Sequence, residues 1–170
     1  MLAKFPSMND EKIRKRGQAF EGKGYGTQRR ILFTKARIHI ERSISEGYFC
    51  EAIAIAESII SDRLESRLSF LEDKNIGFLT LGKLTPRLLK LEKDEKLRDL
   101  IRQVETWAKS RNRALHEMVK VEADEEERSW EERIAHIRNS AIDGYKLAKA
   151  IYHGVADLNP RHMDRVFPRS

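Results

Sequence analysis

The stretch from Glu51 to Leu71, EAIAIAESIISDRLESRLSFL, carries the clearest periodic pattern of the chain. Its apolar residues recur every three or four positions, the spacing that places side chains on one face of an α-helix. This apolar face consists of Ile53, Ala56, Ile60, Leu64, Leu68 and Leu71. Charged residues occupy the other faces, so the pattern predicts an amphipathic helix from Phe49 to about Glu72.

Similar patterns predict four more helices, one before this helix and three after it. They are expected at about residues 27 to 46, 82 to 92, 94 to 121 and 129 to 158. The Thr85-Pro86 pair is assigned to the first turn of the third helix, where the missing N–H of proline costs no hydrogen bond. Because no strand-length alternation of apolar and polar residues occurs, the predicted fold class is all-α, an antiparallel bundle of about five helices.

The composition is that of one folded domain. The chain has 170 residues, of which 40% are hydrophobic and 35% charged, which excludes a disordered chain, and no apolar run approaches the length of a bilayer span. There is no apolar signal segment at the N-terminus, and the single cysteine, Cys50, cannot form an internal disulfide. We therefore expect a cytoplasmic protein in which Cys50 is a small, buried, apolar side chain.

Positive charge is concentrated at the N-terminal end. Residues 1 to 30 carry eight Lys and Arg against three Asp and Glu, so they hold +5 of the net charge of +6. Four glycines and the lack of a sustained period predict a flexible basic arm over residues 1 to 26. The candidate RNA-binding residues of this arm are Lys12, Arg14, Lys15 and Arg16. A solvated tail that only aids solubility is the alternative. Residues 27 to 158 are expected to form the bundle, and residues 159 to 170 a polar tail.

The fourth helix contains the main anomaly of the sequence. Arg111 falls at the centre of the apolar face that includes Val104 and Ala108, where a charge needs a reason. Asn112 lies at the edge of this face, and His116, four residues later, shares its side of the helix, so the three polar residues are expected to converge on one rim. Alternatively, the side chain of Arg111 extends from the edge of the core to solvent, and Asn112 and His116 are ordinary solvated residues.

The segment RNRALH, from Arg111 to His116, resembles the signature of the HEPN superfamily, in which an arginine and a polar residue are followed by a histidine four to six residues past the arginine. The Ala-rich second helix and the five-helix size extend the resemblance to about residues 27 to 158. The resemblance implies a metal-independent endoribonuclease without a cofactor that acts as a toxin or an anti-phage defence effector. It also implies a homodimer in which the Arg and His of both protomers face each other across a cleft, and a possible antitoxin or regulatory partner protein.

The chemistry of the motif fits the implied activity. RNA carries its own nucleophile in the 2′-OH, so a site needs a base and a cation but no metal. Histidine changes its charge near neutral pH, which suits His116 to the role of base or acid, while Arg111 can bind phosphate oxygens. Asn112 can orient the imidazole or bind the phosphate. The candidates that border the cleft from the second helix are Glu57, Ser58 and Arg63.

Other chemistries have weaker support in the sequence. The remaining histidines lack the spacing of metal ligands, and no phosphate-binding glycine loop or nucleophile elbow is present. A non-catalytic HEPN-like module that binds RNA, a nucleotide or a partner protein remains the main alternative. A DNA-binding regulator that uses its basic arm ranks lower, because no helix-turn-helix spacing is evident.

Overall fold

A computed structural model of the chain describes residues 25–73, 76–116, 118–120 and 128–158. It contains five helices, α1 Tyr25–Glu46, α2 Phe49–Glu72, α3 Leu81–Leu91, α4 Glu95–His116 and α5 Trp130–Leu158, and no strand within the described ranges. The all-α bundle predicted from the sequence is confirmed. Helix α1 begins two residues earlier than expected. The rest of the predicted arm, with Lys12, Arg14, Lys15 and Arg16, and the predicted tail lie outside the described residues.

Helices α2 and α5 form the most extensive helix pair of the bundle. Helix α4 packs on α5, α1 packs mainly on α2, and α3 lies against both α2 and α4. A tight turn joins α1 to α2: Gly47 adopts a φ of 84°, and the amide of Tyr48 donates to the Ser43 carbonyl at 2.7 Å. This left-handed conformation favours glycine and ends the first helix where the sequence predicts its end.

The core consists of the apolar faces that the helical periods define. On α2, the buried apolar residues are Ile53, Ala56, Ile60, Leu64 and Leu68, while Leu71 is partly buried. On α4 and α5 they include Leu97, Ile101, Val104, Ile137, Ala141, Ile151 and Val155. Each fully buried Leu or Ile contributes about 1.5–3 kcal/mol relative to an exposed side chain, so these faces supply most of the folding free energy.

Three details differ from the sequence-based predictions. Helix α3 begins at Leu81, so Pro86 is its sixth residue and does not lie in the first turn; burial of Leu81 determines this start. Helix α4 ends at His116, and residues 118–120 form a turn, so the expected continuation to residue 121 is wrong. Cys50 is exposed and not buried, because it shares the solvent-facing side of α2 with Ala54.

A buried ion pair joins three parts of the bundle. Arg67 on α2 donates from Nε and Nη2 to the two carboxylate oxygens of Glu92, at 2.6 and 3.0 Å. Its Nη1 donates to the carbonyl of Leu158, the last residue of α5, at 3.2 Å. The Glu92 carboxylate also accepts the backbone amides of Lys93 and Asp94, immediately before α4. The pair therefore ties α2 to the turn between α3 and α4 and to the end of α5.

Helices α4 and α5 approach closely where Trp107 lies against Gly144. A Cβ atom on Gly144 would lie 2.6 Å from Cζ2 and 2.8 Å from Cε2 of the indole. We expect Gly144→Ala to lower the free energy of unfolding by about 1–3 kcal/mol, because the buried ring cannot move away without disturbing the core. Thermal and urea unfolding measure this effect.

The matched control is Gly154→Ala on the same helix. Its Cβ would lie 3.5 Å from Leu100 Cδ1 and 3.8 Å from Leu97 Cδ1, both ordinary contacts. Alanine there should raise the free energy of unfolding by about 0.5–1 kcal/mol, since glycine is the poorer helix former. A Gly144→Ala variant at least as stable as the wild type would contradict the close approach at Trp107.

Candidate functional site

Arg111 occupies a core-facing position of α4. The buried residues of this helix recur at helical spacing, and Arg111 lies between Trp107 and Ala114 in that series. Its side chain is only 13% exposed. The charge therefore lies at the edge of the core, where the helical spacing places it, and the neighbouring helices must compensate it.

Glu57 on α2 provides that compensation. The Nη1 and Nη2 groups of Arg111 donate to Oε2 and Oε1 of Glu57 at 2.5 and 2.8 Å. The guanidinium carbon also lies 5.5 Å from the centroid of the Trp107 ring, in cation–π geometry. Two parallel bonds to a carboxylate are the strongest pairing that arginine forms, so Arg111 is held in one orientation. Any phosphate that binds Arg111 must share it with Glu57 or displace Glu57.

Trp107 fixes the position of this ion pair. Its indole Nε1 donates to the carbonyl of Ser140 on α5 at 2.9 Å, and its ring lies against Gly144. The ring is buried and bonded at its polar atom, so it offers Arg111 a rigid surface. Helix α5 therefore determines, through Trp107, where the guanidinium lies on α4.

Asn112 and His116 lie on a different side of α4 from Arg111. Both are exposed, and they are four residues apart on one face. At 100° per residue, His116 lies about 140° around the helix axis from Arg111. The expected convergence of all three residues on one rim is thus not present within a single chain: Arg111 turns towards α2, while Asn112 and His116 face solvent.

Next to this exposed face lies an open pocket of about 380 Å³. Its lining consists of Lys109, Ser110, Arg113, Arg128 and His136. The hydroxyl of Ser110 lies 3.5 Å from Nε2 of His136. Sequence reasoning missed this pocket. The spacing of Lys109, Arg113 and His116 could have indicated part of it, because this spacing places two cations on the same side of α4 as the histidine. Nothing in the sequence indicated that Arg128 and His136 also line the pocket.

Neither of the other two candidates from α2 forms a hydrogen bond or an ion pair with the described residues of the motif. Ser58 is exposed. Arg63 is buried and donates from Nε and Nη2 to Asp62 at 3.0 and 2.8 Å, and its guanidinium carbon lies 5.3 Å from the Tyr152 ring centroid. Burial and the nearby Arg29 lower the pKa of Arg63. Burial raises the pKa of Asp62, but Arg29 and Arg63 outweigh this effect and lower it overall. Arg63 thus belongs to a separate ionic cluster.

The chain gives no match to any family model, to any curated protein or to any solved structure with which it was compared. Within the described ranges, no three His, Cys, Asp or Glu side chains are grouped closely enough to hold a metal ion. None of the described helices has the length and apolarity needed to cross a membrane. Function is therefore inferred from the residues themselves.

Proposed function

We propose that the protein is a cytoplasmic, metal-independent endoribonuclease of the HEPN type, acting as a toxin or an anti-phage defence effector. The observation that carries the proposal is the exposed face of α4, where His116 and Asn112 lie beside the cations Lys109 and Arg113. An exposed imidazole among cations suits an anionic substrate that supplies its own nucleophile.

The reaction needs one proton acceptor and one proton donor. A base takes the proton of the 2′-OH, whose oxygen forms a bond to phosphorus while the bond from phosphorus to O5′ breaks, and an acid protonates O5′. The products are a 2′,3′-cyclic phosphate end and a 5′-OH end. His116 supplies one of these groups. Water supplies the other, and a second copy of the chain supplies the cation that stabilises the phosphate, which favours a homodimer with two-fold symmetry.

The position of Arg111 also favours a site shared between two chains. Within one chain, Arg111 and His116 lie on different sides of α4, so one phosphate group cannot readily contact both. In the proposed dimer, Arg111 of one protomer and His116 of the partner subunit face the same phosphate. Each dimer then contains two equivalent composite sites.

Mixing two inactive variants tests this arrangement. Arg111→Gln and His116→Ala are combined under conditions that allow subunit exchange, and RNA cleavage is measured in excess EDTA. A mixed dimer retains one intact site, and half of the dimers are mixed, so activity should return to about one quarter of the wild-type value. Each variant alone is the control.

Two outcomes would contradict the proposal at different points. A wild-type protein that leaves RNA intact would contradict the nuclease activity. A wild-type protein that cleaves RNA, combined with a mixture no more active than the separate variants, would contradict the composite site. Thermal unfolding of the Arg111 variant confirms that the assay temperature lies below its midpoint.

A non-catalytic module of the same fold is the second candidate, and one observation favours it. The bidentate pair with Glu57 already compensates the charge of Arg111, so this arginine has a structural role without any substrate. In that case the exposed face of α4 binds RNA, a nucleotide or a partner protein without cleaving it.

A further inference from the structure

We infer that the outer face of α1 is a docking surface for an acidic amphipathic helix of a partner protein. This basic heptad face consists of Arg30, Ile31, Lys35, Arg37 and Ile38, and all five residues are exposed. None of them belongs to the motif on α4. The inference therefore goes beyond the proposed nuclease and does not depend on it.

Two isoleucines lie on the side of α1 that is turned away from the core. Ile40, which is fully buried, marks the core side, and Ile31 and Ile38 lie roughly 180° and 160° around the helix axis from it. They are 49% and 55% exposed. Seven residues separate them, a rise of about 10.5 Å, so they follow each other along one side of the helix. Two apolar side chains in heptad register form the kind of stripe along which a second helix packs.

Cations flank this stripe at the positions that determine the choice of partner helix. With Ile31 and Ile38 at position a of a heptad, position e is Lys35. Position g is occupied by Arg30 and Arg37. Side chains at e and g form ion pairs with the partner helix. Within the part of the chain that the structure describes, none of these three cationic side chains forms a hydrogen bond or an ion pair.

The carboxylates of the same helix are bound elsewhere. Glu41 accepts a hydrogen bond from the hydroxyl of Tyr145 on α5, and Glu46 accepts one from Nε of Arg42 at 2.7 Å. Arg37 lies near Tyr145 but forms no ion pair with Glu41. The outer face of α1 therefore carries positive charge that its own carboxylates do not pair, and its complement is an anionic surface.

The charge pattern disfavours a second copy of α1 as the occupant. In a parallel pair of helices position e meets position g, and in an antiparallel pair e meets e and g meets g. Each arrangement would place Lys35, Arg30 or Arg37 opposite another cation, and like charges across an interface lower the affinity. The proposed dimer joins the motifs on α4, which packs on α3 and α5, so it needs no contact with α1.

The composition of the face favours a protein helix over RNA or a membrane. None of its five residues is aromatic, and Phe33 of α1 is stacked on Tyr152 with ring centroids 3.5 Å apart, so bases would find no ring here. Helices that lie on membranes bury a broad apolar face. The apolar side of α1 that includes Ile40 and Ile44 already packs in the core. The narrow outer stripe fits one helix with Glu or Asp at its flanks.

The test measures binding of a synthetic peptide to the full chain. The peptide has three heptads with Ile at a, Leu at d and Glu at e and g, and it carries a fluorophore for anisotropy at 0.1 M salt. A scrambled peptide of the same composition is its control. The heptad peptide should bind at least about 10-fold more tightly than the scrambled one, because only its apolar side chains align with the stripe.

Substitutions on α1 separate the contribution of charge from that of the apolar stripe. Lys35→Glu combined with Arg37→Glu should weaken binding of the heptad peptide at least about 10-fold, since two attractive contacts become repulsive. A peptide with Lys in place of Glu at e and g should then bind this variant more tightly than it binds the wild type. Ile31→Ser combined with Ile38→Ser should weaken binding about 10-fold without altering its salt dependence, because the lost contact is apolar.

The matched control for charge is Lys83→Glu combined with Lys90→Glu. Both lysines are exposed on α3, and the change in net charge is identical. This control should change the affinity less than about 2-fold, because only screened long-range attraction is lost. Circular dichroism verifies the helical content of each variant.

Equal binding of the heptad and scrambled peptides, or equal weakening by the two double charge variants, would overturn the inference, since binding would then reflect charge alone. Wild-type protein that sediments with phosphatidylglycerol vesicles, while the double isoleucine variant does not, would overturn the assignment to a helix and favour a membrane surface. Self-association in light scattering that the same variant abolishes would overturn it in favour of a second copy. RNA cleavage is not part of any readout, so this inference and the proposed nuclease can fail separately.

Discussion

Replacing His116 by alanine is expected to reduce RNA cleavage about 10²–10⁴-fold, the contribution typical of a general acid or base. The side chain is exposed at the end of α4, so its removal opens no cavity in the core. The thermal midpoint and the helical content should therefore stay close to those of the wild type. The measurement is cleavage of a labelled single-stranded RNA in excess EDTA, with identification of the 2′,3′-cyclic phosphate ends.

His39→Ala serves as the matched control for this experiment. His39 is an exposed histidine on α1 that contacts Glu51, and it lies outside the motif and the pocket. Purified in parallel, this variant should cleave RNA at the wild-type rate. If the wild type and His116→Ala cut RNA equally well, the activity comes from a contaminating ribonuclease, and the non-catalytic module becomes the leading explanation.

Replacing Glu92 by alanine should lower the free energy of unfolding by about 3–5 kcal/mol, because it leaves the charge of Arg67 buried and unpaired. The side chains of Arg67 and Glu92 are only 8% and 1% exposed. The variant also removes the acceptor for two backbone amides before α4. For a domain of this size, the expected fall in the thermal midpoint is roughly 6–20 °C.

Two further variants distinguish the effect of leaving the Arg67 charge unpaired from the effect of lost packing. Glu95→Ala removes a carboxylate that is 77% exposed and lies 3.5 Å from Arg98, and it should cost less than about 1 kcal/mol. Arg67→Leu combined with Glu92→Leu should recover much of the loss, since no unpaired charge remains in the core. A double variant as unstable as Glu92→Ala would show that hydrogen bonds, and not charge pairing, determine the effect.

The same carboxylate gives the stability a defined pH dependence. Burial raises the pKa of Glu92, but the bonds from Arg67 and from the amides of Asp94 and Lys93 outweigh it, so the pKa is lowered overall. A carboxyl group whose pKa is lower in the folded state stabilises the fold above its unfolded pKa. This contribution is lost as the pH falls towards the folded pKa, and in Glu92→Ala that part of the acid sensitivity should be absent.

The sequence predicted the elements that depend on local pattern. Helix α2 begins and ends where its apolar period predicts, and the turn at Gly47 follows from the conformation that glycine allows. The end of α4 could not be predicted in this way. After α4, the carbonyl of Lys120 accepts a long-range bond from Arg133, a contact that leaves no trace in the local period.

In the candidate site, too, local pattern predicts some features and tertiary packing determines the others. Helical spacing alone located Arg111 on the buried face, but the choice of its partner depends on how α2 and α4 pack. Glu57 and Asp62 look equivalent as carboxylates of α2, yet one binds Arg111 and the other binds Arg29 and Arg63. The cationic pocket required Arg128 and His136 to meet α4, and this contact is a property of the tertiary fold.

The two bonds of Arg133 have a consequence for how this protein can diverge. They hold the carbonyls of residues 120 and 128 to a single guanidinium, so the ends of the intervening segment are fixed independently of what lies between them. Doubling the length of such a loop costs only about 0.6 kcal/mol in closure entropy. Insertions between these positions should therefore cost little closure entropy. Selection can alter the length of this segment while the helices that carry His116 and His136 stay in place.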